Sequence, residues 1–456
     1  MHAAPEINRG SKLMRLLMLT VTLSSMTALM FNIVLPQISE EFRLSYAQAG
    51  WLSAGYTILY AFGTVTYGKL ADRYRLKNLL SIGLVLFAAG SLAGLVSFSY
   101  WTALAGRCLQ AIGASCIPAM AMIVPTRYFP PERRGRAMAM SAVGVALGGA
   151  LAPIVSSLIV SAFHWRWLFA PPLITLSLLP FFRKSLDDKP QKAHEPFDWL
   201  GGGLLAAAVG LFLLGTTNRN GLLMLAGFAV LTLFVLRIRT AAQPFIRPAL
   251  FRNKRYSLAL LLSFLIHAVG ISLHVLTPKL LSDANGLEAG QIGMAMVPAA
   301  LAAAVLGRKG GKLADLKGNP FLFRIASASL MACFLLLSAF AGVSPFWIAA
   351  FLVFGSVGQS FIGVAMANTI SRTLPGDQTG VGMGLFSMLN FIAQGLAVGV
   401  YGIAVEWHAA ASWNPVHAGA DGSIYSNLYL VLAVLHAAIL TSYLSWFKEN
   451  QRGESP

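Results

Sequence analysis

Charge is what this sequence has least of: only 11% of its 456 residues are Asp, Glu, Lys or Arg. Soluble globular domains carry about 25%. A chain this poor in ions cannot solvate its whole surface in water. Cysteine is almost missing as well. Cys108, Cys116 and Cys333 all fall inside apolar runs, which excludes a disulfide framework and any thiolate metal spacing. They read as small buried hydrophobes. Acid is the scarcer charge, with 17 Asp and Glu against 34 Lys and Arg, and every acid falls in a loop or near the end of an apolar run. Loops are short too. The longest run from about 239 to 256 and from about 406 to 426, too small for a separate domain. HExxH, GxGD, paired mid-membrane carboxylates and the phosphate-cradling GxxxxGK[ST] are all absent, which argues against a membrane enzyme and a nucleotide-driven pump.

What the sequence does have is apolar length. Hydrophobic residues make up 56% of it, and runs of about 20 recur from end to end, each able to cross about 30 Å of hydrocarbon. Inside lipid only helices and closed barrels satisfy their own backbone, and these runs lack the strict alternation of barrel strands. The expected fold is therefore all-α and integral to the membrane. Fourteen runs are read, at about 14–36, 47–67, 79–99, 101–123, 137–159, 164–182, 199–216, 221–238, 257–278, 290–307, 321–341, 345–369, 380–404 and 425–446. The seventh and eighth are the shortest, so twelve is the alternative count. The first run follows Arg9, Lys12 and Arg15 and has no small-residue cleavage pattern, so it reads as an uncleaved helix.

The net charge of +17 is distributed among short loops, not gathered into one stripe, which excludes a nucleic-acid face. Placing both termini in the cytoplasm puts nearly all Lys and Arg on the inner side. Arg43, Arg166, Arg219 and Lys279 fall in outer loops, and Arg107 lies within the membrane. The expected location is a bacterial cytoplasmic membrane.

The chain also repeats itself. Gly68-Lys69-Leu70-Ala71-Asp72 follows the second run and Gly311-Lys312-Leu313-Ala314-Asp315 follows the tenth. An identical pentapeptide at the same topological place predicts two parallel six-helix halves. The expected organisation is 1–182 for the first half, 183–256 for a linker with two extra helices, and 257–456 for the second half.

The loop GKLADRYRLKN resembles the signature loop of the major facilitator superfamily, with Gly68, Leu70, Asp72, Arg73 and Lys77 in the family's places and Arg75 where the family has glycine. The resemblance implies a latch that holds the outward-facing state. A glycine lets two helix ends approach, and Asp72 can cap a helix N-terminus and pair with an arginine; Arg133, Arg134 and Arg136 are its candidate partners. In the fourth run, ALAGRCLQAIGAS carries Arg107, with Gln110 and Ala111 on its face and Gly106 and Gly113 permitting close packing. It resembles the family motif whose arginine is linked to proton transfer. In the fifth run, Gly144, Gly148 and Ala152 form a small-residue face and Pro153 a kink. This resembles the family's antiporter motif, with Ala152 and Ser156-Ser157 in place of glycines.

NIVLP at 32–36, WRWLF at 165–169, Asp198-Trp199, GVGMGLFSMLNF at 380–391 and YSNLYL near the end resemble the fourteen-helix drug:proton antiporter branch, the tetracycline-efflux type above all. Members of that branch keep acids in the first and thirteenth helices. The matching stretches here, SSMTALMFN and NFIAQGLAVG, hold none. His267, with His274 one heptad on, and His436 remain as titratable groups. Asn32, Tyr56, Gln359, Asn390 and Gln394 are candidate cavity liners, with helix–helix hydrogen bonding the plainer reading of each. The resemblance implies export of a small amphipathic compound by a monomer needing no cofactor or metal, with the proton as coupling ion. Basic lining without acid favours neutral or anionic cargo. The alternatives are a metabolite or siderophore carrier without proton coupling and a non-transporting membrane sensor.

Overall fold

A computed structural model of the chain describes residues 3–44, 46–186, 198–217, 220–287, 289–375, 378–406, 414–415 and 422–448, and every regular element among them is helical. The first six helices are α1 (Ala3–Glu41), α2 (Tyr46–Ala71), α3 (Leu76–Leu95), α4 (Tyr100–Ala114), α5 (Cys116–Tyr128) and α6 (Arg134–Ala162). Then come α7 (Thr175–Ser185), α8 (Trp199–Thr217), α9 (Gly221–Thr240), α10 (Ala249–Arg252), α11 (Lys254–Gly270) and α12 (Ser272–Asn285). The last five are α13 (Ala289–Lys317), α14 (Asn319–Ala339), α15 (Pro345–Thr373), α16 (Thr379–Glu406) and α17 (Ser423–Lys448).

Among the described residues, eleven helical stretches are long and apolar enough to cross a membrane. Helix α4 runs on into α5 and α11 into α12 within two of these stretches, Tyr100–Tyr128 and Lys254–Asn285. Ser115 and Ile271 mark the junctions. Most of the predicted runs lie on helices, but the sixth, 164–182, does not form one helix. It is two short 3-10 turns, Trp165–Phe169 and Pro171–Ile174, followed by α7, with Pro171, Pro172 and Pro180 in the stretch. The protein is an all-helical, multi-pass membrane protein.

The chain forms two compact units. One comprises Met1–Pro131, Leu147–Ser257 and Ile370–Ile392, and the other comprises Glu132–Ala146, Leu258–Thr369 and Ala393–Pro456. In the first unit α3 and α4 lie against each other closely. A Cβ placed on Gly113 would stand 2.2 Å from the Phe87 nitrogen, and one on Gly90 would stand 2.4 Å from the Gln110 nitrogen. Only hydrogen fits at such crossings. Met30, Phe31, Leu52, Ala103, Trp165 and Phe169 fill the core beneath. In the second unit α14 packs against α17, where Phe323 stacks on Tyr443 with centroids 3.8 Å apart.

At the end of α1, Glu41 accepts hydrogen bonds from the Trp165 indole at 2.5 Å and from Arg166 Nη1 at 2.8 Å. Arg166 Nε also donates to the Ser97 carbonyl at 2.6 Å. Partial burial pushes the Glu41 carboxyl up, but Trp165, Arg166 and the nearby His164 outweigh it and hold it below the usual carboxylate value. A depressed pKa contributes stability above the unfolded value, lost as pH falls through the folded one. Glu41 is 34% exposed, so the pair contributes at most about 1 kcal/mol. Glu41→Gln is expected to lower thermal stability slightly at pH 7. The gap to the parent should close below about pH 4, read by thermal melts in detergent across pH.

Candidate gating and binding residues

The duplicated pentapeptide does the same thing twice. In the first unit, Asp72 at the end of α2 accepts backbone N–H bonds from Gly380 and Val381, both at 2.9 Å. These amides belong to the first turn of α16, where a helix leaves N–H groups unpaired and carries a partial positive charge. Gly68 permits the approach: its added Cβ would meet the Gly380 carbonyl oxygen at 2.4 Å. In the second unit, Asp315 near the end of α13 accepts from the backbone N–H of Arg136 at 3.1 Å, in the first turn of α6. Gly311 lies against Arg136 and Ala139, with the Arg136 Cα 2.8 Å from its added Cβ.

An arginine that the sequence did not offer stands beside Asp72. The guanidinium set beside Asp72 is that of Arg127, at 3.5 Å, which also donates to the Ala71 carbonyl at 2.6 Å. Arg136 serves the second copy, through its backbone and not its charge. Arg127 lies just past the fourth run as read from the sequence, in the last turn of α5, and nothing in its spacing singles it out. Arg73 lies over the Tyr74 ring at 5.4 Å.

Lys69 of the first copy donates to the Pro244 carbonyl at 2.8 Å and sits over the Phe245 ring. Phe245 stacks on Phe62 of α2, and its N–H donates to Asp198 at 3.1 Å. Asp198 also accepts from the Gly201 N–H at 3.0 Å and from Arg237 at 3.2 Å. Burial raises the Asp198 pKa, but these donors outweigh it and hold the carboxyl low. The carboxylate thereby ties the start of α8, the end of α9 and the following connector to α2.

Arg107 is completely buried on α4. Its Nε donates to the Leu52 carbonyl at 3.3 Å; its Nη1 donates to the Thr27 carbonyl at 3.4 Å and to Gln110 Oε1 at 3.1 Å. Gln110 in turn donates to Ser91 at 2.7 Å. Phe31 and Tyr56 cover the guanidinium, each centroid 4.1 Å away. Tyr56 stacks on Tyr60, whose hydroxyl meets Ser24 at 3.2 Å and whose ring meets Phe391 edge-on. The sequence singled out Arg107, Gln110 and Tyr56, and the structure brings all three together; Phe31 and Ser91 were not foreseen.

The remaining candidates are scattered. Gly148 lies against Thr22 and Ser25 of α1, and Ser156 donates to the Met30 carbonyl at 3.1 Å, fixing that part of α6 on α1. Gly144 lies in the other unit. The side chains of Pro153, Ser157 and Asn32 lie outside the described residues. His267 turns back to the Ser263 carbonyl of its own helix at 2.9 Å. It is half-buried while His274 is exposed, so their heptad spacing gives no shared environment. His436 is buried on α17 with neither ring nitrogen partnered among the described atoms. Gln359 packs against Gly270 of α11. Asn390 is buried and Gln394 half-buried on α16.

The repeated aspartate cap and the buried arginine belong to a multi-pass membrane transporter. Residues 17–398 match the profile of the Major Facilitator Superfamily; the chain belongs to that superfamily and is not an enzyme. It is 26% identical over 372 residues to an uncharacterised MFS-type transporter of Mycobacterium tuberculosis, covering 78% of this chain and 63% of that protein. It is 24% identical over 403 residues to Multidrug resistance protein 3 of Bacillus subtilis, covering 84% and 77%. It is 24% identical over 303 residues to the riboflavin transporter RibZ of Clostridioides difficile, covering 65% and 66%. The first and third matches thus span less than two thirds of those relatives. The match to a multidrug resistance protein fits the drug-efflux branch of the superfamily. The human organic anion transporter MFSD10 shares the fold, with TM-score 0.67 at 15% identity over 94% of this chain and 99% of that one.

Proposed function

We propose that this protein is a secondary active transporter that exports small amphipathic compounds by alternating access, with proton antiport as the coupling. The observation that carries the reading is the pair of aspartate caps, Asp72 on α16 and Asp315 on α6. A repeated carboxylate on a helix N-terminus, seated through glycine, is a contact that can form and break as a unit. In this reading the caps form the latch, with Gly68, Arg73, Arg136 and Gly311 around them. Arg107, Gln110 and His267 serve coupling, and Gly144, Gly148 and Pro153 supply the antiporter-type helix. Asn32, Tyr56, Gln359, Asn390 and Gln394 line the path. The multidrug relative supports export of foreign compounds. The riboflavin transporter supports a second reading, a carrier for an endogenous metabolite.

The same proposal holds fourteen crossings, both termini in the cytoplasm of a bacterium, a monomer, and halves at 1–182 and 257–456 around the linker 183–256. Helices α8 and α9 then travel with α2. The Lys69–Pro244 bond supports this, as does Gly210, whose added Cβ would lie 3.6 Å from Ile58 Cγ2. A disulfide between cysteines placed at Ile58 and Gly210 is expected to leave uptake into vesicles within about twofold of the reduced protein. Loss of transport on cross-linking, regained with reductant, would show that the linker pair moves against α2.

The function itself is tested in proteoliposomes containing a pH dye, challenged with a drug panel. Substrate-dependent proton flux, lost in Arg107→Ala, is the expected result. Substrate movement without proton flux would remove the antiport assignment, and no movement of any compound would remove export.

A further inference from the structure

Arg107 holds a full positive charge in the interior of the first unit, and no Asp or Glu among the described residues pairs with it. A buried ion without a counter-ion costs several kcal/mol. Two aromatic faces and three long or neutral acceptors offset only part of that cost. A guanidinium has five N–H donors in one plane. Here the Phe31 and Tyr56 rings both lie against the guanidinium, each centroid 4.1 Å from its carbon, so the N–H edge is the side that offers hydrogen bonds to a ligand. On that edge Nη2 has no hydrogen-bond partner among the described atoms, and neither has the Tyr56 hydroxyl on the covering ring. Tyr60, stacked below, has its hydroxyl engaged by Ser24. The arrangement is a positive charge with spare in-plane donors and aromatic walls, which repels cations and suits a carboxylate or an anion of similar size.

We propose that Arg107, Tyr56 and Phe31 form a binding site for a compact monoanion, which supplies the counter-charge that no described acid provides. The inference rests on the transporter reading and sharpens it to a substrate class. The anion is either the carboxylate of an aromatic cargo or a free inorganic ion bound beside the cargo. Both use the same chemistry: an in-plane acceptor for Nη2 and for the Tyr56 hydroxyl, with the rings flanking the cargo's apolar part. Because Arg107 and Tyr56 are almost wholly covered, the ligand enters when α1 or α2 shifts, a motion that alternating access provides.

The test is titration calorimetry on the purified full chain in detergent, at constant ionic strength in a gluconate buffer. Sodium nitrate, sodium 2-naphthoate and neutral 2-naphthamide are the probes. The expected result is saturable binding of an anion at least tenfold tighter than the amide. Tyr56→Phe, which keeps the ring and removes one charge-assisted hydrogen bond, should weaken it by about tenfold. Arg107→Gln should abolish it. Naphthoate binding that nitrate does not need identifies the cargo carboxylate as the source. Nitrate binding alone, weakened in Tyr56→Phe and lost in Arg107→Gln, identifies an inorganic ion. The proposal is overturned if no anion binds better than the amide, or if anion binding survives unchanged in Arg107→Gln and Tyr56→Phe. Transport of uncharged drugs by the parent protein, measured in the same preparation, separates the two failures: continued transport without anion binding removes this site and leaves the exporter reading intact.

Discussion

Replacing Gly113 with valine is expected to cost at least about 3 kcal/mol of stability, read as a large loss of folded, monodisperse protein after mild heating in detergent. The reason is backbone, not side chain. The new Cβ would lie 2.2 Å from the Phe87 nitrogen and 2.5 Å from the Gly83 carbonyl oxygen. Neither can rotate away, so α3 and α4 must part. Overpacking a helix crossing usually costs about 1–3 kcal/mol, and a clash with main-chain atoms belongs at or beyond the upper end. The consequence reaches the buried cation. Gln110 sits one turn before Gly113 and holds both Arg107 and Ser91; moving α4 breaks that relay. Gly149→Ala is the matched control, because nothing lies within 4 Å of a Cβ there. It should be neutral within about 0.5 kcal/mol. If Gly113→Val melts like the parent, the close crossing of α3 and α4 does not exist.

Asp72→Asn is expected to lower the transport rate by about tenfold or more while leaving the protein folded. Asparagine keeps the shape and one acceptor but removes the negative charge from the N-terminus of α16. Each charge-assisted bond to Gly380 or Val381 contributes about 1.5–3 kcal/mol. Losing even the smaller figure shifts a two-state equilibrium by more than tenfold. Asp315→Asn should act in the same direction, because the Arg136 amide loses its charged acceptor. Transport in proteoliposomes gives the rate, and a thermal melt confirms folding. A parental rate in Asp72→Asn would mean that the caps are static scaffolding.

The sequence by itself determined the solvent and the class of fold. Too few charges and recurrent apolar runs leave only helices in lipid, because backbone satisfaction there is a local matter. It also located the two pentapeptides, since identity is visible without contacts, and it singled out Arg107, because an arginine in hydrocarbon is anomalous wherever its side chain points. What the tertiary structure decided is which groups meet. Asp72 takes two amides of α16 and stands beside Arg127, residues far away in the chain, and nothing in the spacing of GKLAD names them. The breaks at Ser115 and Ile271 are equally silent, because hydropathy does not change across them. Glu41 reads as a loop acid until Trp165 and Arg166 close on it. Among the described residues, Arg107 becomes a cation without a counter-ion only when Phe31, Tyr56, Leu52 and Thr27 are placed around it. Periodicity and composition record each residue's solvent, whereas partnership depends on which helices cross and at what depth, and that is settled by packing over the whole chain.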